Sequence, residues 1–177
     1  PSKTLNIALA GTGVGKSLFM CHVASSFLTQ GLNVLYITLE MAEERIAERI
    51  DANLLDVTID DLHEMPKQLY DDKMNRLRTK TNGQLIIKEY PTASAHSGHF
   101  RALMNELALK KSFRPDVVFV DYLNICASSR FKGGNISSYF YIKAIAEELR
   151  GLAVEFNVPI FSATQTTRTG YVSTDIG

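Results

Sequence analysis

Residues 10–17 read Ala-Gly-Thr-Gly-Val-Gly-Lys-Ser, and they directly follow an apolar run at residues 5–9. An apolar strand that enters a glycine-rich turn and then a helix is the arrangement of a phosphate-binding P-loop. Backbone N–H groups in such a turn point inward and bind anions, and the helix start adds partial positive charge. In this pattern Lys16 reaches the outer phosphates and the Ser17 hydroxyl binds a magnesium ion. The stretch therefore predicts a site for ATP or another nucleoside triphosphate together with Mg²⁺.

The predicted nucleotide contacts cover the whole turn and the first residues of the helix. They are Gly11, Thr12, Gly13, Val14, Gly15, Lys16, Ser17 and Leu18. The strict pattern has glycine at the position of Ala10, and alanine fits there as long as its φ angle stays negative. The alternative is a glycine-rich turn that contains Gly-Lys-Ser by chance. The flanking strand and the predicted helix over residues 16–30 argue against it.

The composition is that of an ordinary globular protein, with 45% hydrophobic and 21% charged residues. A chain of 177 residues is long enough for one domain with its own core. Its 19 basic and 19 acidic side chains cancel, so any binding to nucleic acid requires a local basic patch. Cys21 and Cys126 form no Cys-x-x-Cys pair, and no apolar run approaches the ~20 residues of a membrane span. We therefore expect a cytoplasmic protein, in the host cell if a phage encodes it, with no membrane partner.

Apolar runs and helical periodicity alternate along the chain. The runs lie at residues 5–9, 34–39, 84–87, 117–120 and 158–163, and they are almost continuously apolar, as in parallel strands that are covered on both faces. The mostly polar segment at residues 60–80 predicts a helical excursion on the surface. The pattern predicts an α/β fold, a doubly wound and mainly parallel sheet with helices on both faces. Ligands bind such sheets at the carboxyl ends of the strands.

Acidic residues stand at the ends of two predicted strands. Glu40 follows the second strand, where a carboxylate can polarise a water for attack on a γ-phosphate. Its alternative role is to favour the start of the helix near Ala42. Asp121 closes the fourth strand in the Walker B pattern, whose carboxylate supports the magnesium ion. The alternative for Asp121 is a simple turn at the end of the strand.

Two polar loops and a glutamine are predicted at the same edge of the sheet. Gln165 ends the fifth strand, where its amide can contact the γ-phosphate or start a surface loop. One loop contains Arg130, Lys132 and Gly133, and the other contains Arg168. Basic loops with glycine suit contact with the backbone of single-stranded DNA, although a solvated surface loop has the same composition.

Taken together, these motifs resemble the RecA-like ATPase core of the hexameric replicative DNA helicases of the DnaB family, and among them those of T-even-type phages. The resemblance spans nearly all 177 residues. It is carried by the P-loop, by Leu-Glu-Met-Ala at residues 39–42, by Val-Asp-Tyr-Leu at residues 120–123 and by Ala-Thr-Gln at residues 163–165. It implies a RecA-like P-loop fold and an NTP-hydrolysing motor that moves on single-stranded DNA and unwinds the duplex.

The resemblance also implies a role for each motif residue. Lys16 and Ser17 would bind the phosphates and Mg²⁺, and Asp121 would support the metal. Glu40 would be the catalytic base that orients water. Gln165 would couple the γ-phosphate to the loops that contact DNA.

The same resemblance implies partners and further parts. Arg130, Lys132 and Gly133 would lie on a loop that faces the channel of a homo-hexameric ring, and a primase and a helicase loader would bind the ring. We expect residues 1–177 to be a single domain and a piece of a longer protein, without the amino-terminal domain and the carboxyl-terminal strands that carry the arginine finger. Such a piece would hydrolyse NTP slowly, because losing an arginine finger costs ~10³–10⁵ in rate in other phosphate hydrolases.

Two other functions share these motifs. A RecA-like recombinase would use the same nucleotide site for strand exchange. A nucleotide-gated assembly switch would use hydrolysis only to reset a partner.

Overall fold

The computed structural model describes residues 3–10, 15–80, 82–122 and 138–165, which form five strands and six helices, with three of the helices in a row between the second and third strands. The predicted polar segment at residues 60–80 is two helices, because Pro66 interrupts it. In chain order the elements are β1 Leu5–Ala10, α1 Gly15–Thr29, β2 Val34–Thr38, α2 Glu43–Leu55, α3 Ile59–Glu64, α4 Lys67–Lys80, β3 Leu85–Glu89, α5 Ser97–Lys111, β4 Val117–Asp121, α6 Ser138–Phe156 and β5 Ile160–Gln165.

All described strand pairs are parallel, and the strand order is β1-β5-β4-β2-β3. The register pairs Thr38 with Asp121 and Ala10 with Gln165. These pairings bring the ends of β1, β2, β4 and β5 to one edge of the sheet, the edge that parallel α/β sheets use for ligands. The prediction of a doubly wound parallel sheet is confirmed.

Each face of the sheet has its own hydrophobic core. Side chains of α1 and α2, such as Met20 and Ile46, pack on one face. Side chains of α5 and α6, such as Phe100 and Leu149, pack on the other. The central strands β2 and β4 are buried along their full length, because helices cover them from both sides. This explains why their sequences are apolar without alternation.

The last strand begins later than the sequence predicts. The apolar run starts at Val158, but β5 starts at Ile160. Pro159 has no N–H to donate, although its carbonyl oxygen accepts a hydrogen bond from the Val118 N–H at 3.1 Å. The strand ends at Gln165, which pairs with Ala10 at the end of β1.

None of the helices in the described ranges combines the length and the apolar character that a bilayer crossing requires.

Candidate nucleotide-binding site

The start of α1 places two buried polar side chains at the carboxyl edge of the sheet. Lys16 is 6% exposed and Ser17 is 5% exposed, although both side chains are polar. Buried polar groups are costly unless they find partners. Both have partners from the ends of neighbouring strands, so the start of α1 is tied to the strand ends by polar contacts.

Ser17 and Asp121 form the central contact of the site. The Ser17 hydroxyl donates a hydrogen bond of 2.8 Å to Asp121 Oδ2, although the two residues are 104 positions apart in the chain. Asp121 is the last residue of β4 and is 1% exposed. The fold therefore joins the Lys-Ser start of α1 to the aspartate at the end of β4.

The two oxygens of Asp121 have different surroundings. Oδ2 also accepts a hydrogen bond of 2.8 Å from the Tyr36 hydroxyl. Oδ1 is buried and has no hydrogen-bond partner among the described residues. Burial raises the pKa of Asp121, while the hydrogen bonds from Ser17 and Tyr36 and the charge of Lys16 lower it. The carboxyl group thus has one saturated oxygen and one that can still accept a ligand.

Lys16 lies between an acid and an aromatic ring. Its Nζ is 3.9 Å from Glu40 Oε2 and 3.9 Å from the centroid of the Tyr122 ring. A cation over an aromatic face is attracted by the ring quadrupole. Because the Glu40 side chain is 53% exposed, its pairing with Lys16 adds little stability and can be exchanged for another partner.

The turn that carries Glu40 is fixed by hydrogen bonds. The Thr38 hydroxyl donates to the Met41 carbonyl oxygen at 2.9 Å and accepts from the Met41 N–H at 3.2 Å. The Leu39 N–H donates to the Asp121 carbonyl oxygen at 3.1 Å. These bonds hold Glu40 at the edge of the sheet, beside the end of β4.

The contacts of Glu40 do not support its alternative role at the start of a helix. The N-cap of α2 is Ala42, and no side chain makes a hydrogen bond at this cap. The acidic residues in the first turn are Glu43 and Glu44. Glu40 contacts Lys16 instead, across the nucleotide site.

Several predicted site residues lie beyond the described ones. The backbone of Gln165 is described and ends β5, and its side chain is not. Leu18 is described, lies on α1 and is 46% exposed. Outside the described residues lie Gly11, Thr12, Gly13, Val14, Arg130, Lys132, Gly133 and Arg168. Their roles stay predictions.

The residues present fit a magnesium ion. Mg²⁺ prefers oxygen ligands and is usually held by one or two carboxylates, waters and the phosphates of its substrate. Ser17 Oγ and Asp121 are oxygen donors in contact, and Asp121 Oδ1 is a buried acceptor with no partner among the described residues. No group of three or more His, Cys, Asp or Glu side chains suited to a metal occurs in the described ranges. Asp121 and Ser17 are the described side chains that would hold such an ion.

Sequence reasoning missed two aromatic residues of the site. Tyr36 lies inside an apolar strand and looks like a core residue in the sequence, and Tyr122 belongs to the Val-Asp-Tyr-Leu stretch but was given no role there. The signal is the register of β2 and β4, which places Tyr36 opposite Phe119, two residues before Asp121. A side chain as long as tyrosine can reach along the sheet from there to the carboxylate.

A second polar region lies at the opposite edge of the sheet. A cavity of about 680 Å³ opens between the ends of α1 and α2, the helix α4 and the start of β3. We call it the amino-edge cavity. At its wall the Tyr70 hydroxyl donates a hydrogen bond of 2.6 Å to Asp51 Oδ2, and Arg78 lies nearby. Burial raises the pKa of Tyr70 to about 12 and also raises the pKa of Asp51.

The fold and this site together define the class of protein. The described domain has a RecA-like fold, with a parallel sheet covered by helices on both faces, a Lys-Ser helix start and an aspartate at the end of a central strand. A family model described as "DnaB-like helicase C terminal domain" matches residues 1–175. The chain belongs to this family.

Individual relatives agree with the family. The chain is 49% identical over 176 residues to the DnaB-like replicative helicase of Enterobacteria phage T4, covering 98% of this chain and 37% of that protein. It is 30% identical over 165 residues to a probable plasmid replicative DNA helicase of Chlamydia trachomatis serovar L2, covering 92% and 35% of the two chains. The chain thus spans little more than a third of the length of these relatives.

Solved structures support the fold. A DnaB-like replicative helicase, whose structure was described with its interactions with primase, superposes with a TM-score of 0.73 at 16% identity, covering 98% of this chain and 41% of that one. A second solved structure, described as an ATPase domain, gives a TM-score of 0.73 at 17% identity and covers 99% and 62% of the two chains. At these identities the likeness shows the RecA-like fold alone.

Proposed function

We propose that this chain is the NTP-hydrolysing motor domain of a replicative DNA helicase, which moves on single-stranded DNA and unwinds the duplex. The observation that carries the proposal is the meeting of Lys16, Ser17, Glu40 and Asp121 at the carboxyl edge of the sheet. These residues come from three separate stretches of a chain that belongs to the DnaB family. In the proposed reaction water attacks the γ-phosphate of bound NTP.

Nucleotide binding is assigned to residues 11–18. The backbone of the glycine-rich turn and the start of α1 bind the phosphates, and Lys16 adds a positive charge. When nucleotide binds, Lys16 gives up its contact with Glu40 and contacts the outer phosphates instead. Losing the Glu40 contact costs little free energy, because the Glu40 side chain is half exposed. The exchange leaves the Glu40 carboxylate free to accept a hydrogen bond from water.

Glu40 is the proposed catalytic base. Its carboxylate lies 3.9 Å from Lys16 Nζ, so a water that Glu40 orients stands beside the phosphate that Lys16 binds. The hydrogen bonds of Thr38 and Leu39 fix the turn that carries it. A fixed base reduces the entropy cost of reaching the reactive geometry.

Ser17 and Asp121 are the proposed metal-binding pair. A Mg²⁺ ion held there would supply positive charge to the phosphate oxygens during hydrolysis. Asp121 contributes the buried Oδ1, and Ser17 contributes its hydroxyl while donating to Oδ2.

Motion requires parts beyond this site. Gln165 ends β5 next to β1 and is the proposed link between the phosphates and the DNA loops. Arg130, Lys132, Gly133 and Arg168 are the proposed contacts to the DNA backbone. We propose that the protein works in the cytoplasm, that of the host cell if a phage encodes it, as a homo-hexameric, head-to-tail ring together with a primase and a loader.

The ATPase rate of the full-length protein with and without single-stranded DNA tests this function. We expect strong stimulation by DNA that weakens as salt is raised, since phosphate contacts release counterions. Unwinding of a forked duplex without homologous DNA then separates a helicase from a recombinase. A rate that single-stranded DNA leaves unchanged would instead favour a nucleotide-gated assembly switch and contradict the motor.

A further inference from the structure

Tyr36 is a buried aromatic residue in contact with the metal-binding pair, and no motif of the sequence points to it. It lies in the middle of β2 and is 0% exposed. Its hydroxyl donates a hydrogen bond of 2.8 Å to Asp121 Oδ2, across 85 positions of the chain. It therefore touches the group that would support the metal without belonging to the P-loop or to a strand end.

The ring of Tyr36 is held in place by a row of aromatic side chains. Phe119 of β4 stacks on it with centroids 5.6 Å apart and an angle of 14° between the rings. Phe161 of β5 stacks on Phe119 at 5.4 Å. The strand register aligns the three residues, since Tyr36 pairs with Phe119 and Phe119 with Phe161. Stacked rings fixed by three neighbouring strands leave the hydroxyl little freedom.

A thiol supports the hydroxyl from the helix side. Cys21 of α1 is fully buried, and its Sγ lies 3.8 Å from the Tyr36 hydroxyl oxygen as a weak donor. The hydroxyl thus accepts from Cys21 and donates to Asp121. This direction is set by Asp121, whose ionised carboxylate accepts hydrogen bonds and donates none.

These contacts decide which oxygen of Asp121 remains available. Ser17 and Tyr36 both donate to Oδ2, and two donors on one oxygen fix the rotation of the carboxylate. Oδ1 is buried and has no partner among the described residues. If Tyr36 did not donate, only the Ser17 bond would hold the carboxylate, and that serine is itself a predicted metal ligand.

We propose that Tyr36 is a positioning residue for metal binding, whose hydroxyl holds the Asp121 carboxylate so that Oδ1 faces the Mg²⁺ bound with the nucleotide. This inference rests on the proposed function, because it requires a metal–nucleotide complex at Asp121. Groups that orient metal ligands from outside commonly change metal affinity by 10- to 100-fold. Tyr36 does so from the strand next to the one that ends in Asp121.

Tyr36→Phe in the full-length protein tests the proposal, because it keeps the stacked ring and removes only the hydroxyl. The probe is Mn²⁺, whose binding in the presence of a non-hydrolysable ATP analogue is measured by electron paramagnetic resonance. We expect Mn²⁺ affinity to fall about 10-fold. Affinity for the analogue measured in EDTA, without metal, should stay within about twofold, because the hydrogen bonds that the structure describes for this hydroxyl go to Asp121 and the Cys21 thiol.

The chain offers a matched control. Tyr70→Phe removes the same kind of tyrosine–carboxylate hydrogen bond at the amino-edge cavity, on helices that do not reach Asp121. It should leave Mn²⁺ affinity and analogue affinity as in the unmodified protein. Hydrolysis by Tyr36→Phe should need more Mg²⁺ for half-maximal rate, and saturating Mg²⁺ should restore most of the rate.

Two results would overturn the inference. One is a Tyr36→Phe variant that binds Mn²⁺ as tightly as the unmodified protein. The other is an equal loss of analogue affinity with and without metal, which indicates a general packing defect in place of metal positioning. Failure of the proposed function would look different, because the unmodified protein would then bind no Mn²⁺ together with the analogue.

Discussion

Within the described residues, two hydrogen bonds that join a tyrosine to a carboxylate lie in different surroundings. Tyr36 donates to Asp121 at 2.8 Å at the carboxyl edge of the sheet, and Tyr70 donates to Asp51 at 2.6 Å at the amino-edge cavity. The first pair lies on central buried strands, and Asp121 also accepts from Ser17. The second pair lies on α2 and α4, whose residues are partly exposed. The chemistry that a carboxylate can perform is therefore decided by its place in the fold.

Electrostatics alone does not separate the two sites. Burial raises the pKa of Asp121 and that of Asp51, and in each case the tyrosine hydrogen bond opposes the rise. A perturbed acid in a cleft is a common sign of function, but structural pairs show the same shift. Only Asp121 combines the shift with a hydroxyl from the P-loop helix and a free buried oxygen, among the residues that the structure describes. The predictions below exploit this contrast.

A large effect on the hydrolysis rate is expected from removing the positive charge at the carboxyl edge. Lys16→Ala in the full-length protein should lower the hydrolysis rate by about 10²–10³-fold, because the charge stabilises the outer phosphates in the transition state. Arg78→Ala removes an exposed charge at the amino-edge cavity and should leave the rate within about twofold, since Arg78 lies at the far edge of the sheet. Steady-state phosphate release measures both variants. An equal loss of hydrolysis rate in both variants would contradict the assignment of hydrolysis to the carboxyl edge.

A smaller effect is expected on the thermal stability of the protein, and it should have the same sign for Asp121 and Asp51. The folded pKa of each acid is raised, so the folded state binds a proton more tightly than the unfolded state. The stability that the protonated form confers is present at low pH and is lost as pH rises through the folded pKa. Asparagine does not ionise, so replacing Asp121 or Asp51 with asparagine should prevent this loss of stability as pH rises. Without ligand, Asp121→Asn should therefore raise the melting temperature at pH 7.5 by a few degrees, about 2–4 °C per kcal/mol.

Changing the pH and adding ligand should distinguish Asp121→Asn from Asp51→Asn. The rise in melting temperature should shrink as pH is lowered toward the folded pKa of the acid. It should be smaller for Asp51→Asn than for Asp121→Asn, because Asp51 is only half buried. Thermal unfolding with and without Mg²⁺ and an ATP analogue separates the two variants. Asp51→Asn should keep the full stabilisation by ligand and Asp121→Asn should lose most of it. An Asp121→Asn protein that is less stable than the unmodified one at pH 7.5 would contradict the assignment.

Much of the fold follows from the sequence, because the buried strands are nearly continuous apolar runs. The runs at residues 34–39 and 117–120 give β2 and β4, whose burial on both faces requires that pattern. The strand ends then predict the meeting of Ser17 with Asp121, since parallel strands and the P-loop helix share one edge. Strand order and register were not predictable, as they depend on contacts between distant parts of the chain.

The parts of the site that escaped prediction depend on this register. Tyr36 reaches Asp121 only because β2 lies directly beside β4 with Tyr36 opposite Phe119. Tyr122 lies beside Lys16, whose Nζ is 3.9 Å from the centroid of its ring, and nothing in the sequence pairs these two residues. The amino-edge cavity forms where α4 meets α2, and the polar sequence of α4 indicates a surface helix without indicating what it covers.

The central claim is that the carboxyl edge hydrolyses NTP with Glu40 as the base. Glu40→Gln in the full-length protein tests it most directly, with nucleotide affinity and single-turnover hydrolysis measured on the same preparation. The account predicts nucleotide affinity within about threefold of the unmodified protein and a rate lower by about 10²–10⁴-fold, since glutamine cannot accept the proton. A hydrolysis rate equal to that of the unmodified protein would contradict it.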